Sequence, residues 1–287
     1  MGRTAYVNGR YVPHGEAAVH IEDRGYQFAD GVYEVYEIWQ GCIIDQTAHL
    51  DRLERSLSEL SIAEPMHRRA LQVVLREVAR RNKVRNGFVY IQVTRGVAPR
   101  DHGFPKKSTQ PALVITAKPV DPSKAEKLAE DGIAIISLPE NRWPRVDIKS
   151  VSLLPNVLAK QHARDSGAHE AWFVDKDGYV TEGASTNAWI VTSDGTLVTR
   201  PAAAAILRGI TRSTLIALAK STGVNVEERG FTISEAQQAR EAFVTAASTL
   251  VMPVVTIDNI AVANGKPGVV ALELRRLFHT QCEKTPL

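Results

Sequence analysis

A chain of 287 residues with 44% hydrophobic and 23% charged side chains can fill two ordinary domains, each with its own core, and is too apolar to stay disordered. Its 35 basic and 32 acidic residues leave a formal charge of +3, spread along the chain rather than gathered in blocks, which argues against nucleic acid as a partner. Two cysteines, Cys42 and Cys282, cannot build a disulfide framework or a thiolate cluster within one chain, and the histidines show no HxxxH or HxH spacing, so no metal site is expected.

No apolar signal core follows Met1, Tyr6 stands where a myristoylation motif wants Ser or Thr, and no apolar run reaches the length of a membrane span. No membrane partner and cytoplasmic residence in a reducing compartment are the expectations.

Tyr6 to Val12 places an Asn8-Gly9 turn between two β-prone runs, a hairpin signal. Val32 to Trp39, Gln40-Gly41 and Cys42 to Ile44 read as a second hairpin. Thr47 is the expected cap of a helix whose Leu50, Leu53, Leu57 and Leu60 share one face. A second amphipathic helix is expected from Met66 to Arg81, with Leu71, Val74, Leu75 and Val78 inward, then strands at Phe88 to Thr94 and Ala112 to Ala117. Lys118 to Ser123 carries two prolines and no periodicity, and marks a boundary between an α+β domain over residues 1–120 and a strand-richer one over 121–287.

In the second part, Ile133 to Leu138, Ala171 to Val174, Ala188 to Thr192 and Thr196 to Val198 are strand-like. Leu154 to Arg164, Ile210 to Ser221, Ser234 to Ala239 and Gly268 to Phe278 are helical. The run Ala202 to Ala205 is too short to matter, and no internal repeat is present.

Five stretches carry chemistry. Lys149 follows Val146-Asp147-Ile148 closely enough to sit on a buried strand; it is either an edge lysine that reaches water or a desolvated amine able to condense with a carbonyl such as that of pyridoxal 5′-phosphate. Thr181 to Asn187 gathers small and hydroxyl residues around Glu182, which is either an exposed turn residue or an acid aimed at a pyridine nitrogen. Gly209, within Leu207-Arg208-Gly209-Ile210-Thr211, opens a predicted helix whose unpaired N–H groups suit a phosphate. Ser248-Thr249 adds donors after a strand, or is a helix cap or an ordinary turn; Arg52 either closes such a site or is solvated. In the loop Gly96 to Pro105, Arg100 and His102 can grip a planar carboxylate or stay in solvent.

The blocks Phe28 to Glu34, His49 to Leu53, Asp147 to Ser150, Thr181 to Asn187 and Leu207 to Arg212, in this order, resemble those of the class IV, fold-type IV pyridoxal phosphate enzymes, across nearly the whole chain. That family includes branched-chain aminotransferases, D-amino-acid aminotransferases, aminodeoxychorismate lyases and (R)-selective amine transaminases. Thr94 to His102 and Asp147 to Ser150 are similar to the D-amino-acid branch. The resemblance implies a two-domain α+β fold, a smaller N-terminal domain and a larger strand-rich C-terminal one with pyridoxal 5′-phosphate between them. It implies that Lys149 carries the cofactor as a Schiff base, Glu182 holds the pyridine nitrogen and Leu207 lies against the ring. By the same resemblance Arg52, Ile210, Thr211, Ser248 and Thr249 hold the phosphate, with Gly209 at the helix start. Tyr33, Arg100 and His102 bind the substrate α-carboxylate, the last two from the neighbouring subunit of a homodimer.

The implied activity is ping-pong transamination between a D-amino acid, such as D-alanine or D-glutamate, and a 2-oxo acid, 2-oxoglutarate or pyruvate. The rival readings are an L-branched-chain-amino-acid aminotransferase, an aminodeoxychorismate lyase and a non-catalytic binding protein on an enzyme-like fold. Glu140-Asn141-Arg142 and Trp143 match nothing in these blocks.

Overall fold

The structure, a computed structural model, describes residues 2–203 and 205–287; Met1 and, in the alanine run, Ala204 lie outside the described residues. Contacts divide the chain into two units: Met1–Pro122 with Ile148–Ser152 and Glu283–Leu287, and Ser123–Asp147 with Leu153–Cys282. The boundary expected at residues 120 and 121 falls beside the first of these divisions. The assignment of Lys149 and of the C-terminal segment to the first unit departs from it.

In the first unit both predicted hairpins form, because their turn residues tolerate positive φ: Asn8 at 45° and Gly9 at 91°, Gln40 at 50° and Gly41 at 81°. They contribute to one sheet, running edge to edge Lys284–Pro286, Cys42–Ile44, Gly31–Trp39, Gly87–Thr94, Ala112–Pro119, Thr4–Val7, Arg10–Pro13. Along Gly31–Trp39 every second residue is buried, and Val32, Tyr36 and Ile38 join Ile91 and Val93 in the core under helices Gln46–Glu59 and Arg68–Arg81.

Thr47 does not cap the first helix through its own side chain. The cap position is Asp45, at φ 49°, and Glu283 supplies the acceptors instead: Thr47 N donates to its Oε2 at 3.0 Å and Thr47 Oγ1 to its Oε1 at 2.8 Å. Asp45 Oδ1 in turn accepts from Glu283 N at 2.9 Å, so helix start and chain end hold each other. A left-handed aspartate costs about 1 kcal/mol, and burying Leu50, Leu53 and Leu57, each at most 2% exposed, returns about 2 kcal/mol apiece; burial decides.

The second unit is built on a sheet ordered Val226–Glu228, Leu197–Thr199, Asn187–Val191, Glu241–Ala246, Leu250–Ile257, Ile133–Pro139, Glu170–Val174, Val180–Gly183, with Ile260–Ala261 added beside Leu250–Ile257. Its central strands are buried at consecutive positions, as strands covered on both faces must be. Parallel pairs need crossovers, and helices provide them: Leu154–Asp165 between Ile133–Pro139 and Glu170–Val174, and Ile210–Ser221 between Leu197–Thr199 and Val226–Glu228.

The boundary stretch Lys118 to Ser123 joins a strand to a helix with only residues 120 and 121 between them. The strand runs on to Pro119 and a helix, Pro122–Asp131, begins at the second proline, where a missing N–H costs nothing. Helices Ile233–Gln238 and Val269–Gln281 complete the unit. No described helix is long and apolar enough to cross a membrane.

Candidate active site

Lys149 lies just before the isolated bridge residue Ser150 and not on the expected buried strand. In the hairpin Gly31–Trp39/Cys42–Ile44 only Ile38 and Trp39 are paired with the return arm, which leaves the outer edge of the first half of the long strand open. Ile148–Ser152 takes that edge: Ser150 bridges Val32, Tyr33 N donates to Lys149 O at 3.0 Å, and Val151 N donates to Gly31 O at 3.0 Å. Lys149 therefore stands opposite Tyr33 on one face, with Nζ 4.2 Å from the centre of the Tyr33 ring. Its own N–H donates to Ser56 Oγ at 3.3 Å. Lys149 is half-buried, with its amine beside an aromatic wall.

On the opposite face of the same strand, Glu34 is fully buried. Burial alone pushes its carboxyl up, but Arg52, donating from Nε to Oε1 at 2.7 Å and from Nη2 to Oε2 at 2.8 Å, and His49 Nδ1, 2.7 Å from Oε2, outweigh it and bring it down to about 2. Burial likewise pushes His49 below its ordinary value, so it sits neutral beside the ion pair. Arg52 is thus in bidentate contact with Glu34, a partner that neither periodicity nor spacing revealed.

Arg100 and His102 pack on Phe28 rather than on Tyr33: the Arg100 guanidinium lies 5.1 Å from the Phe28 ring centre and His102 5.4 Å from it. Arg24, only 3% exposed, ties down their loop by donating from Nη1 to Asp101 O at 2.6 Å. Its Nε donates to Asp30 Oδ2 at 2.8 Å, the oxygen that also accepts from Arg95 Nε at 2.7 Å.

Within the second unit, Glu182 is on the strand Val180–Gly183 and not on a turn, and it is buried. Its carboxylate accepts from Arg142 Nη1 at 2.6 Å, from Asn187 Nδ2 at 3.0 Å and from Leu207 N at 3.1 Å. Asn187 Nδ2 also donates to Leu207 O at 3.0 Å, so strand and loop are stitched together behind the acid. Just after Leu207, Gly209 is the N-cap of Ile210–Ser221 with no side-chain cap, and Ile210 and Thr211 in its first turn are buried. A Cβ at Gly209 would stand 2.0 Å from Asn187 Oδ1; only glycine lets the helix start come this close.

Ser248 and Thr249 form, with Ala247, the turn between Glu241–Ala246 and Leu250–Ile257. Thr249 Oγ1 is buried with no hydrogen-bond partner among the described residues. Glu182, Leu207, Gly209, Ile210 and Thr211 form one connected group, and this hydroxyl is a further polar atom left unsatisfied in the same unit.

Residues 31–257 match the family described as amino-transferase class IV. The chain belongs to that family. It is 40% identical over 261 residues to a D-alanine aminotransferase of Bacillus licheniformis, covering 91% of this chain and 90% of that one. It is 38% identical over 278 residues to a D-alanine aminotransferase of Staphylococcus haemolyticus, covering 97% of each. Among solved structures it is similar to the T.th. branched-chain amino acid aminotransferase with pyridoxamine 5′-phosphate, at TM-score 0.89 and 26% identity over 97% of this chain and 93% of that one. The branched-chain enzyme of Escherichia coli, at TM-score 0.90 and 24% identity over 98% and 94%, shares the fold.

As a class IV aminotransferase, the chain has site groups that sequence reasoning missed. Arg142 belongs to a stretch with no motif, yet its guanidinium is the charge partner of both Glu182 and Glu140. Glu34 and His49 stand inside the family-like blocks, where the sequence assigns them no role. The signal that could have found Arg142 is electrostatic: a buried glutamate needs a cation, but nothing in the spacing says which one.

Proposed function

We propose that this class IV aminotransferase carries pyridoxal 5′-phosphate and transfers the amino group of a D-amino acid, D-alanine or D-glutamate among them, to a 2-oxo acid such as 2-oxoglutarate or pyruvate. The observation that carries the proposal is the connected group in the second unit. Arg142, Asn187 and Leu207 N–H hold the acid, and the loop from Leu207 runs directly into an uncapped helix N-terminus, so one short segment joins a carboxylate for a ring nitrogen to N–H groups for a phosphate. The unpartnered Thr249 hydroxyl suits the same cofactor. The second unit, Ser123–Asp147 with Leu153–Cys282, would accordingly supply most of the cofactor-binding residues, and the first, smaller unit Lys149 and Arg52.

Pyridoxal phosphate, when bound, supplies an aldehyde that takes up the amino group and a ring that draws electrons from the carbon losing its proton. The protein does the rest. Lys149 would hold the group through its amine, and its Nζ, once free, would be the base that takes the proton from the substrate Cα. Glu182 would hold a proton on the ring nitrogen, and Leu207 would lie against the ring. Arg52, Gly209, Ile210, Thr211, Ser248 and Thr249 would hold the phosphate, while Tyr33, Arg100 and His102 would take the α-carboxylate and so orient the substrate Cα. Ping-pong kinetics are expected.

Arg100 and His102 act from the neighbouring subunit of a cytoplasmic homodimer. In support, the first unit exposes large apolar side chains along the same region: Ile21 at 77%, Tyr26 at 76% and Phe104 at 68%. The relatives at 36–40% identity are D-alanine enzymes, which favours D-amino acids over the branched-chain L-substrates named for the fold relatives.

The test is the visible spectrum of the purified protein before and after D-alanine, with L-alanine and L-leucine alongside. Bleaching by D-alanine alone is expected. Bleaching by L-leucine alone, or release of pyruvate from aminodeoxychorismate with no acceptor present, would replace this function by one of its rivals.

A further inference from the structure

We propose that Arg275, paired with Glu126, is a positioning residue that fixes the Ser248–Thr249 turn in the shape that receives the cofactor phosphate; this rests on the cofactor assignment made above. Arg275 is 6% exposed, on helix Val269–Gln281. Its Nη1 donates to Thr249 O at 2.7 Å and to Val251 O at 2.8 Å, while Nε and Nη2 donate to Glu126 Oε2 and Oε1 at 3.1 and 2.8 Å. The two carbonyls flank Leu250, a non-glycine residue at φ 54°. A leucine in the left-handed region is strained and persists only where its surroundings impose it. The guanidinium holds the carbonyls of the residues before and after the strained one, and so helps to impose its conformation.

The clamp also aims the turn. With the Thr249 and Val251 carbonyls drawn to a cation, Thr249 Oγ1 is left buried and unpartnered, and Thr249 N is spent on Ala246 O at 3.2 Å. The helix that carries Arg275 cannot slide relative to this turn. Glu241, first residue of the strand that leads into it, accepts from Val270 N at 3.0 Å and Ala271 N at 2.9 Å, one helical turn before Arg275. Glu126, on Pro122–Asp131, orients the guanidinium from the other side through a bidentate contact that a lysine cannot reproduce.

An anion receptor of this kind distinguishes pyridoxal 5′-phosphate from pyridoxal, which lacks the phosphate. The experiment is titration of the apoenzyme with each aldehyde, read by absorbance, for the wild type, Arg275→Lys and Glu126→Gln, with the thermal midpoint of each apoenzyme recorded. The expected result for Arg275→Lys is a loss of about tenfold in pyridoxal phosphate affinity, from two weakened charge-assisted bonds, with pyridoxal affinity unchanged. Glu126→Gln, which keeps the side-chain shape, is expected to lose about threefold in the same selective way, and it carries the test if Arg275→Lys does not fold. Equal losses for both aldehydes, or an unchanged preference for the phosphate in folded variants, would overturn the assignment. A wild type that binds pyridoxal as tightly as its phosphate would instead remove the phosphate site itself, and a wild type that binds neither aldehyde would remove the cofactor.

Discussion

Arg142 donates from Nη1 to Glu182 Oε1 at 2.6 Å while its Nε and Nη2 bind both oxygens of Glu140 at 2.9 and 2.6 Å. One guanidinium, its side chain 5% exposed, thus stands between two carboxylates that would otherwise face each other with little water to separate them. Replacing it by an apolar side chain of similar length strands a buried acid. Arg142→Met is expected to lower folding stability by about 3–5 kcal/mol, measured by urea unfolding of the apoenzyme. A loss under about 1 kcal/mol would mean that Glu182 finds another partner.

The pair Glu34 and His49 makes stability depend on pH. Both have folded values pushed below their ordinary ones: Glu34, from 4.5 to about 2, because Arg52 outweighs burial, and His49, below 6.5, because burial disfavours its cation. In each case the unfolded chain takes up a proton that the folded chain refuses, so both contributions are complete above the ordinary value and drain away as pH falls. The thermal midpoint is expected to decline below pH 6.5 and again below pH 4.5. His49→Gln is expected to flatten the upper slope and leave the lower one.

Gly209→Ala places a methyl group 2.0 Å from Asn187 Oδ1, and Asn187 must swing away from Glu182 and Leu207 O. Two hydrogen bonds are lost and the helix start is pushed outward. Stability is expected to fall by about 1–3 kcal/mol, and cofactor retention on gel filtration to fall with it. Full retention would separate Gly209 from the phosphate site.

Arg100 is assigned to the substrate carboxylate, so its loss should be felt only by substrates that have one. Arg100→Ala is expected to lower kcat/KM for D-alanine by about 10–100-fold and to leave an (R)-amine without a carboxylate nearly unaffected, as initial rates would show. Unchanged kinetics on D-alanine would remove the reason for placing this chain in the D-amino-acid branch.

Where residues speak through local backbone preference, the sequence was legible. Asn8-Gly9 and Gln40-Gly41 announce their hairpins, and the helix Ile210–Ser221 lies where its apolar spacing puts it. Leu250–Ile257 was not legible, although it is central to its sheet: Pro253 inside it argues against an interior strand, and the turn before it ends on Leu250, which carries no turn signal. The acid at 182 and the glycine at 209 could be picked out by chemistry, but not the strand that holds Glu182 or the arginine at 142 that neutralises it, because those depend on contacts across 40 residues of chain. Lys149 was misplaced for the same reason. Its position is fixed by an open strand edge far earlier in the chain, at Tyr33.

The central claim is that Lys149 bears the cofactor. Reduction of the purified holoprotein with borohydride, followed by proteolysis and peptide mapping, reads this directly. The phosphopyridoxyl label is predicted on Lys149, in the peptide that includes Ile148 and Ser150; a label on any other lysine, or none on protein that is yellow before reduction, would contradict it.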